Sequence, residues 1–342
     1  MKVLLYTESL KAISKSGLGK AIKHQMKALD YVHVPYTNHP NELPYDVAHI
    51  NFYLWKSYRL AKKLRKQNIP VVYHAHSTEE DFRNSFIGSN LISPLFKKWI
   101  CKCYRLGDII ITPTEYSKKL LESYHLNRKI YAISNGIELE FFKRDEKGGQ
   151  EFRRYYHYKP EDKVIVGIGL YLERKGILDF VELAKRLPEY QFIWFGYTPM
   201  YTVPSKIRKA VRTKLPNLKF AGYVDSAMIK NALSGCDLYL FPTLEETEGI
   251  PIIEACAMKT PALIRDIPVF DGWLQDGVNV YKAKTIDEFE DKIIRIMNHD
   301  LKDLTEAGYQ VAKERDIKNI GKQLKQVYEE AIQMKKDSSP IE

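Results

Sequence analysis

Short apolar runs rich in β-branched and aromatic residues alternate along the chain with stretches in which apolar residues return every third or fourth position. Runs of the first kind predict strands, and stretches of the second kind predict amphipathic helices. In the first part the strand candidates are KVLLY, DVAHI, PVVYHAH, IIITPT and KIYAI, with helical patterns such as Ser57 to Lys66 and Ser117 to Tyr124 between them. The segment from Phe142 to Lys163 is charged and aromatic, carries Gly148, Gly149 and Pro160, and reads as a linker. A second series begins at KVIVGIGL and continues through QFIWFG, LKFAGY, DLYLFPT and Thr260 to Ile264, ending in a helix pair. Strands that alternate with helices predict parallel sheets with crossover connections. Two doubly wound α/β domains facing a cleft are therefore expected, over residues 1–145 and 146–316. The helix predicted over 317–342 sets Ile317, Ile320, Leu324, Val327, Ala331 and Met334 on one face. The closing residues, Asp337 to Glu342, read as a frayed tail.

Composition narrows the class. An apolar fraction of 44% and an aromatic fraction of 12% are those of a folded globular protein. Cys101, Cys103, Cys236 and Cys256 form no C-x-x-C pair and have no His at metal-ligand spacing, which predicts a reduced, cytosolic protein without disulfides or zinc. MKVLLY is too short for a signal peptide, and the nearly apolar run Val164 to Leu172 is half a membrane span. Any membrane contact is therefore expected to be peripheral. Charge is unevenly distributed. Residues 1–150 hold 24 Lys and Arg against 14 Asp and Glu, whereas residues 151–342 hold 29 of each. The whole excess of +10 sits on the first half and predicts an anionic partner there.

The candidate chemistry lies at strand ends. After DLYLFPT, Glu246 and Glu254 stand eight residues apart, with Gly249 and Pro251 between them and a helix beginning near Ile252. Such a loop offers backbone N–H groups, and two carboxylates accept hydrogen bonds from neutral hydroxyls. The run Gly169 to Gly176 follows a strand and opens a helix, so Arg174 and Lys175 sit at a helix N-terminus, a ready anion site. Phe241-Pro242-Thr243, Glu246 to Glu254, Ala255-Cys256-Ala257 and Thr260-Pro261-Ala262 resemble the E-x7-E region of the retaining, GT-B-fold glycosyltransferases of family 4. The resemblance covers essentially the whole chain. It implies a hexosyltransferase with two Rossmann-like domains, a donor-binding second domain, and a last helix that crosses back to domain one. It further implies that Glu246 holds donor hexose hydroxyls, Glu254 the ribose, and the backbone of Gly249, Ile250 and Pro251 the hexose. Gly169 to Gly176 resembles the family element whose Arg and Lys grip the donor diphosphate. Lys175 matches directly, the Arg position is Leu170, and Arg174 is expected to supply the second cation. Ser16-Gly17-Leu18-Gly19-Lys20 resembles the glycine-rich first turn, in which Gly17 lets backbone approach the diphosphate. His76 matches the family's cleft histidine, with His74 as competitor on the same strand face, and Ser134-Asn-Gly-Ile137 matches the handover to the linker. The chain has no D-x-D, so fixed cations rather than a metal are expected to stabilise the departing nucleoside diphosphate.

The acceptor is sought on the basic half. Trp55, Lys62, Lys63, Arg65 and Lys66 lie on one predicted basic helix, and Phe96, Lys97, Lys98, Trp99 and Lys102 on another that follows an apolar loop. Cations beside Trp and Phe suit an anionic lipid interface. His74-Ala-His76-Ser-Thr78, Glu80-Asp81-Phe82, Asn84 to Ser89, Ser93 to Phe96 and Thr114 to Lys118 are similar to the glycosyl-diacylglycerol synthases of Gram-positive bacteria. That subgroup implies UDP-glucose or UDP-galactose as donor, no further cofactor, and a membrane glycolipid acceptor for lipoteichoic acid anchors. Monoglucosyl-diacylglycerol is favoured over diacylglycerol. It places the protein on the inner face of the cell membrane. A soluble or polyprenyl-linked saccharide acceptor is the alternative. A nucleic-acid partner is not expected, because no helix-turn-helix, RRM or zinc spacing is present.

Overall fold

Each of the ten apolar runs forms a strand in the computed structural model, which describes residues 1–8 and 16–337. Most of the frayed tail expected after the last helix lies outside the described residues. The strands are β1 (Val3–Tyr6), β3 (Val47–Ile50), β4 (Val71–His74), β5 (Ile109–Thr112), β6 (Lys129–Ala132), β7 (Val164–Ile168), β8 (Gln191–Phe195), β9 (Leu218–Gly222), β10 (Leu238–Phe241) and β11 (Ala262–Arg265). Two further strands, β2 (Tyr36–Thr37) and β12 (Tyr281–Ala283), are too short to leave a pattern in the sequence. The helices used below are α1 (Gly17–Tyr31), α2 (Trp55–Lys66), α3 (Ser89–Tyr104), α4 (Glu146–Tyr155), α5 (Ile177–Arg186), α6 (Ser226–Gly235), α7 (Ile250–Ala257) and the last helix, Ile317–Asp337.

The chain divides into two compact units. The first holds residues 1–80, 92–138 and 315–342, and the second holds 81–91 and 139–314. The first unit carries 26 basic and 15 acidic residues, so the charge excess follows the fold. Its sheet is all parallel, in the order β2-β1-β3-β4-β5-β6. Alternate residues of each strand enter different cores. Leu4, Ala48, Ile50, Tyr73 and Ile110 pack with Ala61, Leu64, Ile100 and Tyr104 of α2 and α3. Val3, Leu5, Val47, Val72, Ile109 and Ile111 pack with Ala28 and Leu29 of α1 and with the last helix. Burial of both faces explains why these strands read as unbroken apolar runs. Along the last helix Ile317, Ile320, Leu324, Val327 and Ala331 are buried, whereas Met334 is exposed, so the apolar stripe stops short of its predicted end. Gly321 lies where a Cβ would overlap the Ala28 carbonyl, which marks how closely this helix crosses α1.

The second unit repeats the plan with a parallel sheet in the order β12-β11-β10-β7-β8-β9. Here the predicted linker is corrected. Residues 146–155 form α4, whose first turn is capped by the Asp145 carboxylate accepting from Gly148 N–H at 3.1 Å. Phe152 of α4 is fully buried. Gly148 and Gly149 are not helix breakers but the contact surface with α6. A Cβ on Gly149 would stand 3.0 Å from the backbone of Ser234 and Gly235. Gly149→Val is expected to cost about 1–3 kcal/mol through overpacking, visible as a lowered thermal midpoint; an unchanged midpoint would show that α4 does not need this close approach.

Candidate active site

In the second unit the strand order reverses between β7 and β10, and polar residues gather beyond the carboxyl ends of both strands, where doubly wound sheets collect ligands. The chain leaves β7, makes a 3-10 turn at Glu173–Lys175, and enters α5 through Gly176. Gly176 has φ +74°, and a Cβ there would overlap the Pro242 carbonyl, so only glycine fits. The turn is tied to the end of β10. Leu244 N–H donates to the Arg174 carbonyl at 2.6 Å, and the Thr243 hydroxyl donates to the same oxygen at 3.0 Å. These ties bring Lys175 Nζ onto the buried Glu246 Oε1 in a partly buried ion pair. Burial pushes the Lys175 ammonium below its ordinary range and Arg174 adds to the lowering, while Glu246 and Asp81 oppose it.

Arg174 has partners that the sequence did not suggest. Its guanidinium pairs with Asp81 Oδ1 at 3.0 Å and donates to Ser85 Oγ at 3.0 Å and to the Glu245 carbonyl at 3.3 Å. Burial raises the Asp81 pKa, with Arg174 and Lys175 offsetting the rise. The only sequence signal for Asp81 was its place in the run Glu80-Asp81-Phe82, to which no chemistry attached. Gly249, at φ +92°, precedes α7, with Pro251 in its first turn. Ile250 and Glu254 are buried, and Glu254 is fully so. Arg265 at the end of β11 braces the neighbourhood, donating to the Pro242 carbonyl at 3.1 Å and pairing with Asp179. Among the described residues no group of His, Cys, Asp and Glu is arranged to hold a metal ion.

The first unit gathers histidines at the ends of β3 and β4. The rings of His74 and His76 stack at 3.8 Å, and those of His49 and His74 at 5.3 Å. Gln25 of α1 donates to His74 Nδ1 at 3.1 Å, and His49 Nε2 lies 3.1 Å from the same atom. His74 Nδ1 thus accepts, His49 Nε2 donates, and His49 Nδ1 accepts from the Tyr328 hydroxyl at 2.7 Å. His76 Nε2 lies 2.9 Å from Asn51 Oδ1. His74 is buried, whereas His76 is partly exposed and is the member of the stack that solvent reaches. Burial holds the rings neutral, with His49 and His76 pushed down to about 3 and His74 well below its ordinary value. At Gly17, which opens α1, no described residue beyond its neighbours along the chain lies within 4 Å of where a Cβ would stand, and Ser16 caps the helix by accepting from Gly19 N–H at 3.2 Å.

The basic residues divide into two groups. Trp55, Lys62, Lys63, Lys66, Lys98 and Lys102 are exposed. Trp55, Tyr58 and Trp99 form one aromatic cluster with ring centroids 5.3–5.8 Å apart, and Arg59 and Lys102 lie over its faces. Three other candidates are engaged within the unit. Arg65 pairs with Asp108 at 3.2 Å, Lys97 pairs with Glu79 at 3.3 Å, and Phe96 packs edge-on against Tyr53. No helix among the described residues is long and apolar enough to cross a membrane.

The "Glycosyltransferase Family 4" model matches residues 33–141, and the "Glycosyl transferases group 1" model matches residues 150–323. The chain is 42% identical to a processive diacylglycerol alpha-glucosyltransferase of Acholeplasma laidlawii over 337 residues, 98% of this chain and 100% of that protein. It is 24% identical over 245 residues to an alpha-galactosylglucosyldiacylglycerol synthase of Streptococcus pneumoniae, covering 68% of this chain and 65% of that one. The crystal structure of Anabaena Alr3699/HepE in complex with UDP-glucose superposes with a TM-score of 0.76 at 16% identity, over 96% of this chain and 100% of that chain, which shows a common fold. With two parallel six-stranded sheets and a full-length relative at 42% identity, the chain belongs to the GT-B glycosyltransferases of family 4.

Proposed function

We propose that the protein transfers glucose from UDP-glucose, with retention at the anomeric carbon, to a diacylglycerol-based acceptor at an anionic membrane surface. Monoglucosyl-diacylglycerol and diacylglycerol are the two acceptors considered. The observation that carries the proposal is the partly buried Lys175–Glu246 pair beside Arg174, in a chain 42% identical along its whole length to a protein named as a diacylglycerol glucosyltransferase. In this reading Lys175 and Arg174 face the donor diphosphate and stabilise the charge that develops as UDP departs. Glu246 accepts from hexose hydroxyls, Glu254 from the ribose, and the backbone of Gly249, Ile250 and Pro251 lines the hexose. The acceptor oxygen attacks the anomeric carbon on the face that the diphosphate leaves. The bond from the anomeric carbon to the diphosphate oxygen breaks, the new glycosidic bond forms, and that diphosphate oxygen takes the acceptor proton. His76, neutral and partly exposed, offers one ring nitrogen to a hydroxyl. Gly17 lets backbone approach the diphosphate.

The membrane-facing surface in this reading is the Trp55, Tyr58 and Trp99 cluster with Lys62, Lys63, Lys66, Lys98 and Lys102 around it, without Arg65, Phe96 and Lys97, which are held by other partners. Interfacial aromatics and cations of about 1 kcal/mol each make such a face adhesive. The test is incubation with UDP-glucose or UDP-galactose and each lipid acceptor in vesicles containing phosphatidylglycerol, with products identified by mass spectrometry. Glucosylated lipid from UDP-glucose is expected, and the Trp55→Ala, Lys102→Ala double variant should sediment with these vesicles about tenfold less tightly. Transfer only to soluble saccharides, without sedimentation, would favour a polysaccharide acceptor instead.

A further inference from the structure

Residues 81–91 fold with the second unit, where Ile87 N–H meets the Thr202 carbonyl at 3.5 Å. Between this segment and the loops after β7 and β8 lies a groove of about 510 Å³, within the range of ligand sites. Phe86 and Ile87 form one side and Leu170, Leu172 and Tyr201 the other, and no described residue lining the groove carries a charge. Several large apolar side chains here face solvent, with Ile87 60% and Tyr201 81% exposed. Contiguous apolar surface of this kind marks a binding region. The groove adjoins the cations. Ser85 lines it and also accepts from Arg174 Nε at 3.0 Å. Leu170 occupies the position where the family pattern has a diphosphate-binding arginine, and here it contributes apolar wall.

We propose that this groove holds an acyl chain of the glycerolipid acceptor, an inference that rests on the lipid-acceptor reading above. The chemistry selects the occupant. The wall, mostly apolar and without charge, offers no counter-charge to a nucleotide's phosphates or an anionic headgroup, and it favours an alkyl chain by removing its methylenes from water. Continuity through Ser85 to Arg174 selects a molecule that has both a chain and a hydroxyl to present near the departing diphosphate. Leu170 is thus a specificity-determining residue, and an arginine at that position would place a charge in the groove.

The experiment compares wild type with Ile87→Asp and Leu170→Gln on two acceptors, monoglucosyl-dioleoylglycerol in mixed micelles and soluble monoglucosyl-dihexanoylglycerol. Both substituted side chains are exposed, and thermal midpoints verify folding. The expected result is a KM about tenfold higher for the dioleoyl acceptor, with the dihexanoyl KM and the affinity for UDP unchanged. Variants that keep the wild-type ratio of the two KM values would overturn the groove assignment while leaving the lipid-acceptor reading intact. Variants that lose vesicle binding with no change in micelle kinetics would identify the groove as bilayer contact and also overturn it. Wild type that transfers to neither lipid would remove the underlying reading, and the inference with it.

Discussion

Lys175→Met is expected to lower kcat by about 10²–10³-fold, the loss that follows removal of one preorganised group aimed at developing charge. Methionine keeps much of the stem volume and removes only the ammonium. The substitution also leaves Glu246 buried without its cation, and breaking such a pair costs about 3–5 kcal/mol of stability. Lys175→Met combined with Glu246→Gln separates the two effects. The double variant should recover thermal stability but not turnover, because the carboxamide relieves the orphaned charge without restoring a cation. Circular dichroism melts and initial rates at saturating UDP-glucose give the two readouts. Turnover of Lys175→Met within a few-fold of wild type would refute the role given to this lysine.

Acid should weaken the first unit sharply. His24, His49, His74 and His76 all lie in it and are all pushed below their ordinary pKa, His24 to about 4 and both His49 and His76 to about 3. His24 Nδ1 donates to the Gly136 carbonyl at 2.8 Å from within the core. For each ring the folded pKa lies below the unfolded value, so the unfolded chain binds more protons between the two. Stability is therefore fully present above about pH 6.5 and falls as pH drops toward the folded values. Each fully buried ring contributes up to about 1.4 kcal/mol per pH unit, and the partly exposed His76 contributes less. Between pH 6.5 and 5 the combined loss is several kcal/mol, comparable with the whole stability of an ordinary domain. Thermal melts at pH 7, 6 and 5 test this. A midpoint that is flat across the series would show that the rings are not held neutral, and His49→Gln should make the wild-type slope shallower.

The sheets were legible because parallel strands are buried on both faces, so Val164 to Gly167 or Ile109 to Thr112 cannot be mistaken for surface. Helix α4 was not, because Gly148 and Gly149 have two meanings in a sequence, and only the crossing with α6 distinguishes a close approach from a break. In the site, Glu246 and Lys175 could be singled out one by one, each at a strand end. Their pairing, and that of Arg174 with Asp81, joins segments distant in sequence and has no local signature. The histidines show the same limit. His74 and His76 alternate along one strand and suggest a shared face, but Gln25, His49 and Tyr328 come from three other elements. Among the cations, nothing in the order of residues distinguishes Lys97, turned to Glu79, from the neighbouring exposed Lys98.

The placement of Ile317–Asp337 against α1 sets an order of assembly during synthesis. The strands of the first unit precede the second unit in sequence, yet one of its two apolar clusters is completed by Ile317, Ile320, Leu324 and Tyr328, which follow the second unit. On the ribosome the second unit has all of its strands in hand while one face of the first sheet is covered by α1 alone. Val3, Leu5, Val72 and Ile111, already against α1, are fully enclosed only when residues 317–331 emerge, so the unit whose strands are made earlier is completed later.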